Sequence, residues 1–273
     1  MNSIGMLVLA LALAQSAPPA DFKLQGAISQ GGLVLGTAPA GTTALTLDGK
    51  RIEVGADRRF LIGFDRDHGA RAILAATLAD GRTIAHALAV APRAWAIVHI
   101  GIARRPSAAT EEYLRRRERE TARIAAARAS RPISDGWRQR FIWPATGRIS
   151  GRFGSQRIYR GEPGAYHSGV DIAPGAGAPV VAPADGIVVL AGPPAFSLEG
   201  DLVIIDHGLG LNSAFLHLAS SNVRDGQRVR RGQSIGTVGA TGRATGPHLH
   251  WSVKWNEARL DPQMLAGPMP APD

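Results

Sequence analysis

Five side chains in the C-terminal half have the types and spacing that metal-assisted hydrolysis needs. They are His167 and Asp171 in HSGVD (167–171), His217 in FLHL (215–218), and His248 and His250 in TGPHLHW (245–251). A catalytic zinc ion takes three nitrogen or oxygen ligands and keeps a fourth position open, so this inventory covers the ligands and leaves imidazoles over for proton transfer. On a helix His167 and Asp171 would share a face, but Gly169, β-branched Val170 and nearby Pro174 disfavour a helix there. In a straight strand, residues four apart are separated by roughly 13 Å, too far for one metal, so the chain must bend or bulge, and Gly169 makes that easy. His248 and His250 sit two apart in HLHWSVKW, whose alternation fits a strand with both imidazoles on one face, about 7 Å apart at the backbone. Spacing leaves open which histidines bind metal.

The elements that must position these groups are short strands and tight turns. Glycine-rich turns at APGAGAP, PADG, DHGLG, VRDGQ, VRRGQ and GATGRATG separate runs such as PVVAP, GIVVLAG, LVIIDHG and SIGTVG, the pattern of a compact antiparallel sheet. No HExxH helix is present. His207, in IIDHGLG, reads as a strand-end or turn histidine near the site, and His68, His86 and His99 as structural residues of another domain.

From about Phe141 to Pro262 the chain resembles the lysostaphin/LytM-type zinc peptidases, which cut the peptide part of bacterial cell walls. The match runs through IWPATGRISGRFG, HSGVDIAPGAGAPVVAPADGIVV, LVIIDHGLGLNSAFLHL and VRDGQRVRRGQSIGTVGATGRATGPHLHWSV, in the family's order. The resemblance implies one Zn2+ per chain held by His167, Asp171 and His250, with His217 and His248 as the catalytic histidines that bind no metal. It also implies an open groove for an extended peptide. Where the family usually has Tyr two residues before the histidine of its HL dipeptide, this chain has Phe215 and lacks the hydroxyl. The implied activity is a metalloendopeptidase of D,D type, acting on peptidoglycan stem peptides through zinc-activated water. Some members of the family have lost their ligands and activate other wall hydrolases; here every ligand position is filled. The alternative expectation is a regulator or activator of other cell-wall hydrolases with a weakly active site or one occluded, for instance, by a segment of the N-terminal half.

The chain as a whole is expected to be mainly β, in the order signal peptide (1–17), small immunoglobulin-like β-sandwich (18–103), basic helical linker (104–140), antiparallel β-sheet peptidase domain (141–266) and tail (267–273). Residues 4–14 form an apolar run too short to span a bilayer, followed by small residues that suit leader cleavage, so the protein is expected to be periplasmic or otherwise exported. Turn signals at DGK and ADGR divide the N-terminal β segment into hairpins. The linker is rich in helix formers: Ser107 or Thr110 can cap it, Glu111 and Glu112 stand four residues before Arg115 and Arg116, and its sparse apolar positions suggest a solvated or bridging helix.

Composition sets the remaining bounds. There is no cysteine, which excludes thiol catalysis, disulfides and thiolate ligation. The net charge of +9 favours at most weak contact with anionic polymers or a membrane surface. With 5% aromatic residues and no groove-reading motif, specific nucleic-acid binding is not expected. An envelope protein remains a candidate partner, through the N-terminal β segment.

Overall fold

The computed structural model describes residues 21–103 and 109–270; the leader and Ser107 fall outside them. The N-terminal half holds β1 (Lys23–Gly26), β2 (Leu33–Thr37), β3 (Thr42–Leu47), β4 (Lys50–Arg51), β5 (Arg59–Gly63), β6 (Arg71–Leu78), β7 (Thr83–Ala89) and β8 (Ile97–Ile100). Strands β1, β2 and β5 make one antiparallel sheet, and β4, β3, β6 and β7 make a second. Both turn signals act as hairpins. Asp48 and Gly49 take positive φ between paired Leu47 and Lys50, as a type I′ turn requires. In β6, inward Ala72, Leu74, Ala76 and Leu78 alternate with more exposed residues, so one face meets the core and the other meets water.

The connecting helix α1 (Glu111–Ala129) starts at Thr110, whose hydroxyl accepts the Tyr113 amide hydrogen. After it come β9 (Arg148–Gly151), β10 (Gln156–Tyr159), β11 (Glu162–Pro163), β12 (Val170–Ala173), β13 (Pro179–Val181), β14 (Gly186–Leu190), β15 (Asp201–Gly208), β16 (Leu211–Ser221), β17 (Arg228–Val229), β18 (Ser234–Val238), β19 (Leu249–Trp255), β20 (Ala258–Leu260) and the short helix α2 (Pro262–Ala266). The principal sheet runs β17-β14-β15-β16-β19-β12-β9, entirely antiparallel. The fold is thus mainly β, as the turn rhythm leads one to expect.

Two features depart from the expected arrangement. β8 pairs in parallel with β10, so a strand expected in the N-terminal β segment adds to the C-terminal half instead. Most of the helix faces water, as expected of a solvated or bridging helix, but one edge is docked. It lies against the sheet, with Glu120 and Ala127 buried and Ala127 packed with Leu202, Ile204 and Ala214. Its anchor is a polar one that apolar periodicity cannot reveal. Glu120 accepts hydrogen bonds from the Ser197 amide and hydroxyl (2.9 and 2.7 Å) and pairs with Arg116 and Arg117, while Arg117 also reaches Glu199 at 2.7 Å. Arg116 therefore pairs forward with Glu120, whereas Arg115 pairs with Glu111 as expected.

The opposite face of the sheet belongs to a single hydrophobic cluster that runs from Phe22 to Ala266 and includes Phe60, Ile62, Phe215, Trp251 and Leu260. Gly63 marks the join of the two halves, because a Cβ there would come within 2.9 Å of Leu260 and 3.2 Å of Trp255. Trp137, in the expected linker, is buried in the same cluster.

Candidate metal centre and active site

His167 leaves the loop before β12, and Asp171 lies within that strand. The register shifts between Asp171 and Ile172, the irregularity that the four-residue spacing demands. His250 lies on β19 opposite Asp171. The backbone at Gly169 passes so close to β19 that a Cβ would strike the Trp251 carbonyl and stand 2.8 Å from His250 Nε2. Glycine is therefore what lets the first ligand loop approach the third ligand.

The three side chains converge. His167 Nε2 is 3.0 Å from Asp171 Oδ1 and 3.0 Å from His250 Nδ1, and His250 Nδ1 is 2.8 Å from Asp171 Oδ1. Tetrahedral ligands each about 2.1 Å from a zinc ion stand roughly 3.4 Å apart, so these atoms need open by only a few tenths of an ångström. Two imidazole nitrogens and one carboxylate oxygen are also the donor chemistry of such a site. The charge states of Asp171 and His250 suit a metal site. Burial opposes charge on Asp171, but hydrogen bonds from His167 and His250 hold its carboxyl far below the usual range. Burial pushes His250 down, favouring the neutral imidazole that ligates. At His167 burial acts the same way, but the hydrogen bond and charge of Asp171 outweigh it and raise the pKa.

His217 and His248 flank this group, their ring centroids 4.8 Å apart. His217 Nδ1 is 2.8 Å from the Thr241 carbonyl and His248 Nδ1 is 2.8 Å from the Gly246 carbonyl. Each Nδ1–H donates to its carbonyl, which fixes the tautomer and leaves both Nε2 atoms able to accept a proton. His248 Nε2 lies 3.8 Å from Asp171 Oδ1. His217 adopts a left-handed φ of 65°, and its amide donates to the Glu199 carbonyl at 2.8 Å. Such backbone on a non-glycine residue costs on the order of 1–3 kcal/mol, and surrounding structure must hold it in place. Burial lowers the His217 pKa, so the ring is neutral near pH 7.

All five sequence-predicted site residues thus meet in one place. His207 does not join them: it is fully buried, bonded to the Asp185 carbonyl and the Ser213 hydroxyl, and packed on Phe141. His68 and His86 lie in the N-terminal half beside Asp48 and Asp21, and His99 is on β8. Phe215 is fully buried opposite Trp251, so the exchange of Tyr for Phe falls in the core. The walls around the site went unread in the sequence. A cavity of about 620 Å3 runs from His250 over Ser252 and Ala214 to α1. A second, of about 730 Å3, meets His167 and Asp171 from the other side and is bounded by Ala96 and Val98. The only sequence signal for the first wall is the arginine run of the helix.

Comparison with known proteins agrees with this geometry. Residues 165–262 match Peptidase family M23. Among curated relatives, the peptidoglycan DD-endopeptidase ShyA of Vibrio cholerae is 40% identical over 116 residues, 42% of this chain and 26% of the relative. The cell division protein DipM of Caulobacter vibrioides is 36% identical over 133 residues, 48% of this chain and 20% of the relative. The chain thus spans about a quarter of the curated relatives it matches. A solved structure of a putative peptidase M23 from Pseudomonas aeruginosa superposes with a TM-score of 0.66 at 30% identity, covering 88% of this chain and 94% of that one. A likeness that runs through both halves, together with the match centred on the His–Asp–His group, means that this chain belongs to peptidase family M23.

Proposed function

We propose that the protein is an exported zinc metalloendopeptidase that hydrolyses peptide crosslinks of bacterial peptidoglycan, with D,D-endopeptidase specificity. The observation that carries this reading is the convergence of three ligand atoms within 4.8 Å beside two imidazoles whose Nδ1 atoms are tied to carbonyls. His167 Nε2, Asp171 Oδ1 and His250 Nδ1 would hold the ion. Zinc bound there supplies Lewis-acid polarisation of the scissile carbonyl and lowers the pKa of water towards about 7.

The chain's own groups handle the protons. His217 and His248 divide the removal of a proton from the attacking water and its return to the leaving amine, with Nε2 as the working atom of each. The cavities that meet at the metal group give the substrate a path across it, one arm towards α1 and the other towards β8.

The test is hydrolysis of purified diaminopimelate-type peptidoglycan by the zinc-loaded protein, with products resolved by chromatography. Crosslinked dimers should disappear, chelation should abolish the reaction, and His217→Ala should slow it by about 10²–10⁴-fold while one zinc per chain is retained. His167→Ala should lose the zinc. Intact dimers with a full complement of zinc would refute the hydrolase and favour a regulator of other wall hydrolases.

A further inference from the structure

The cavity beside α1 carries an excess of positive charge over the carboxylates that line it. Its walls bring together Arg128 from the last turn of the helix, Lys254 from β19 and Arg259 from β20, and its near end is His250. Arg128 is half-buried, its Nε has no hydrogen-bond partner, and among the described residues no carboxylate lies within ion-pairing distance of its guanidinium. The carboxylates nearby are already engaged. Glu199 is held by Arg117 at 2.7 Å, and Glu257 pairs with Lys254 at 3.2 Å from a side chain that is 95% exposed. Arg259 reaches only the Tyr166 hydroxyl, at 3.4 Å.

The three cations feel one another. Burial first, then the charge of Arg259, brings Arg128 down to about 10; burial first, then Arg128, lowers Lys254. Arg128 and Lys254 are half-buried and Arg259 stands exposed at the rim; two half-buried like charges facing one space gain from an anion between them, and a guanidinium fork suits a carboxylate. His250, Ser252 and Lys254 project from one face of β19 at intervals of roughly 7 Å, so the cavity runs on from the third ligand position towards the cations.

We propose that this cavity is a subsite for the free carboxylate of the diaminopimelate residue whose amine forms the scissile crosslink, with Arg128 as the principal contact and Lys254 and Arg259 beside it. The proposal rests on the peptidoglycan endopeptidase reading and sharpens it: a crosslink through diaminopimelate carries a carboxylate next to the scissile nitrogen, and a glycine bridge carries none. The cations thereby select the amine side of the bond, and the metal group and two histidines act on its carbonyl.

The experiment uses the full zinc-loaded chain and two crosslinked stem-peptide dimers, identical except that the carboxylate beside the scissile nitrogen is free in one and amidated in the other. The wild type should favour the free acid by at least about tenfold in kcat/KM, chiefly through KM, and Arg128→Gln should bring that ratio close to one. Arg259→Gln should reduce the ratio independently, which guards against a fold defect in one variant. A wild type without preference, or variants that weaken both dimers equally, would overturn the proposal. Should the wild type hydrolyse neither dimer, the endopeptidase reading fails by itself. Calorimetric binding of the same two dimers then decides the subsite: tighter binding of the acid, lost in Arg128→Gln, supports it, and equal binding refutes it.

Discussion

Asp206 and His207 are neighbours on β15, both buried, and their titrations oppose each other. Burial raises Asp206 to about 6, with one carboxylate oxygen lacking a partner, and burial lowers His207 to about 4. A carboxyl whose folded pKa is raised stabilises the fold below its unfolded value near 3.8 and loses that contribution as pH rises through about 6. A depressed histidine stabilises the fold above 6.5 and loses that contribution as pH falls towards about 4. Each shift is worth on the order of 3 kcal/mol, so between pH 4 and 6.5 the two nearly cancel. Asp206→Asn removes one of them. The variant should be more stable than wild type by about 2–3 kcal/mol at pH 8 and should lose roughly 3 kcal/mol on acidification to pH 4, where the wild type changes little; urea titrations at several pH values check this.

At the scale of elements, a ligand loop and a helix make different demands. Gly169 allows the loop before β12 to pass against β19, and Gly169→Ala should push the His250 ring aside. A weakening of zinc affinity by about 10–100-fold, read by competition with a chelating dye, is expected with little change in overall fold. For α1 the critical side chain is Glu120. Burial alone would raise its pKa, but bonds from Ser197, Arg117 and Arg116 outweigh this and hold it at about 2. Docking is therefore at full strength above about pH 4.5 and weakens as pH falls towards 2. Glu120→Ala leaves Arg117 without one of its two carboxylates, should loosen α1 by about 3 kcal/mol, and should show as faster amide exchange confined to the helix. These two elements also show what the sequence could convey. The HSGVD bend, the β19 alternation and the DGK hairpin are written in local residue types, so they were legible. The seating of α1 depends on a carboxylate meeting a serine 77 residues away, and the pairing of β8 with β10 joins strands from opposite halves. Neither leaves a local periodic pattern. The same holds for the site: the five candidate site residues lie in short motifs, but Arg128, Lys254 and Arg259 come together only when a helix folds across the sheet.

In the whole molecule, the N-terminal half is built into the catalytic one. Arg66 leaves the N-terminal sheets and is buried with its guanidinium 4.9 Å from the ring of Tyr166. It donates to the Gly154 carbonyl at 3.1 and 3.0 Å and to Gln156 Oε1 at 3.0 Å. That segment in turn holds the first ligand's backbone, since the Gly154 amide donates to the His167 carbonyl and the His167 amide donates to the Ser155 carbonyl. The ligand loop is thereby clamped from the N-terminal side, and Arg93 adds a 2.7 Å pair to Asp261, the residue that caps α2. If the clamp sets the ligand geometry, Arg66→Met should weaken zinc binding by about tenfold or more, although Arg66 touches no ligand side chain. Because both halves share one hydrophobic cluster, thermal unfolding of the wild type should be a single transition with calorimetric and van't Hoff enthalpies in agreement. Two separate transitions, or unchanged zinc affinity in Arg66→Met, would mean that the N-terminal half merely accompanies the catalytic one. Cutting the chain at residue 140 to expose the site would also remove Trp137 and Arg66, so loss of activity in such a fragment would report a damaged ligand loop rather than the lifting of an inhibitor.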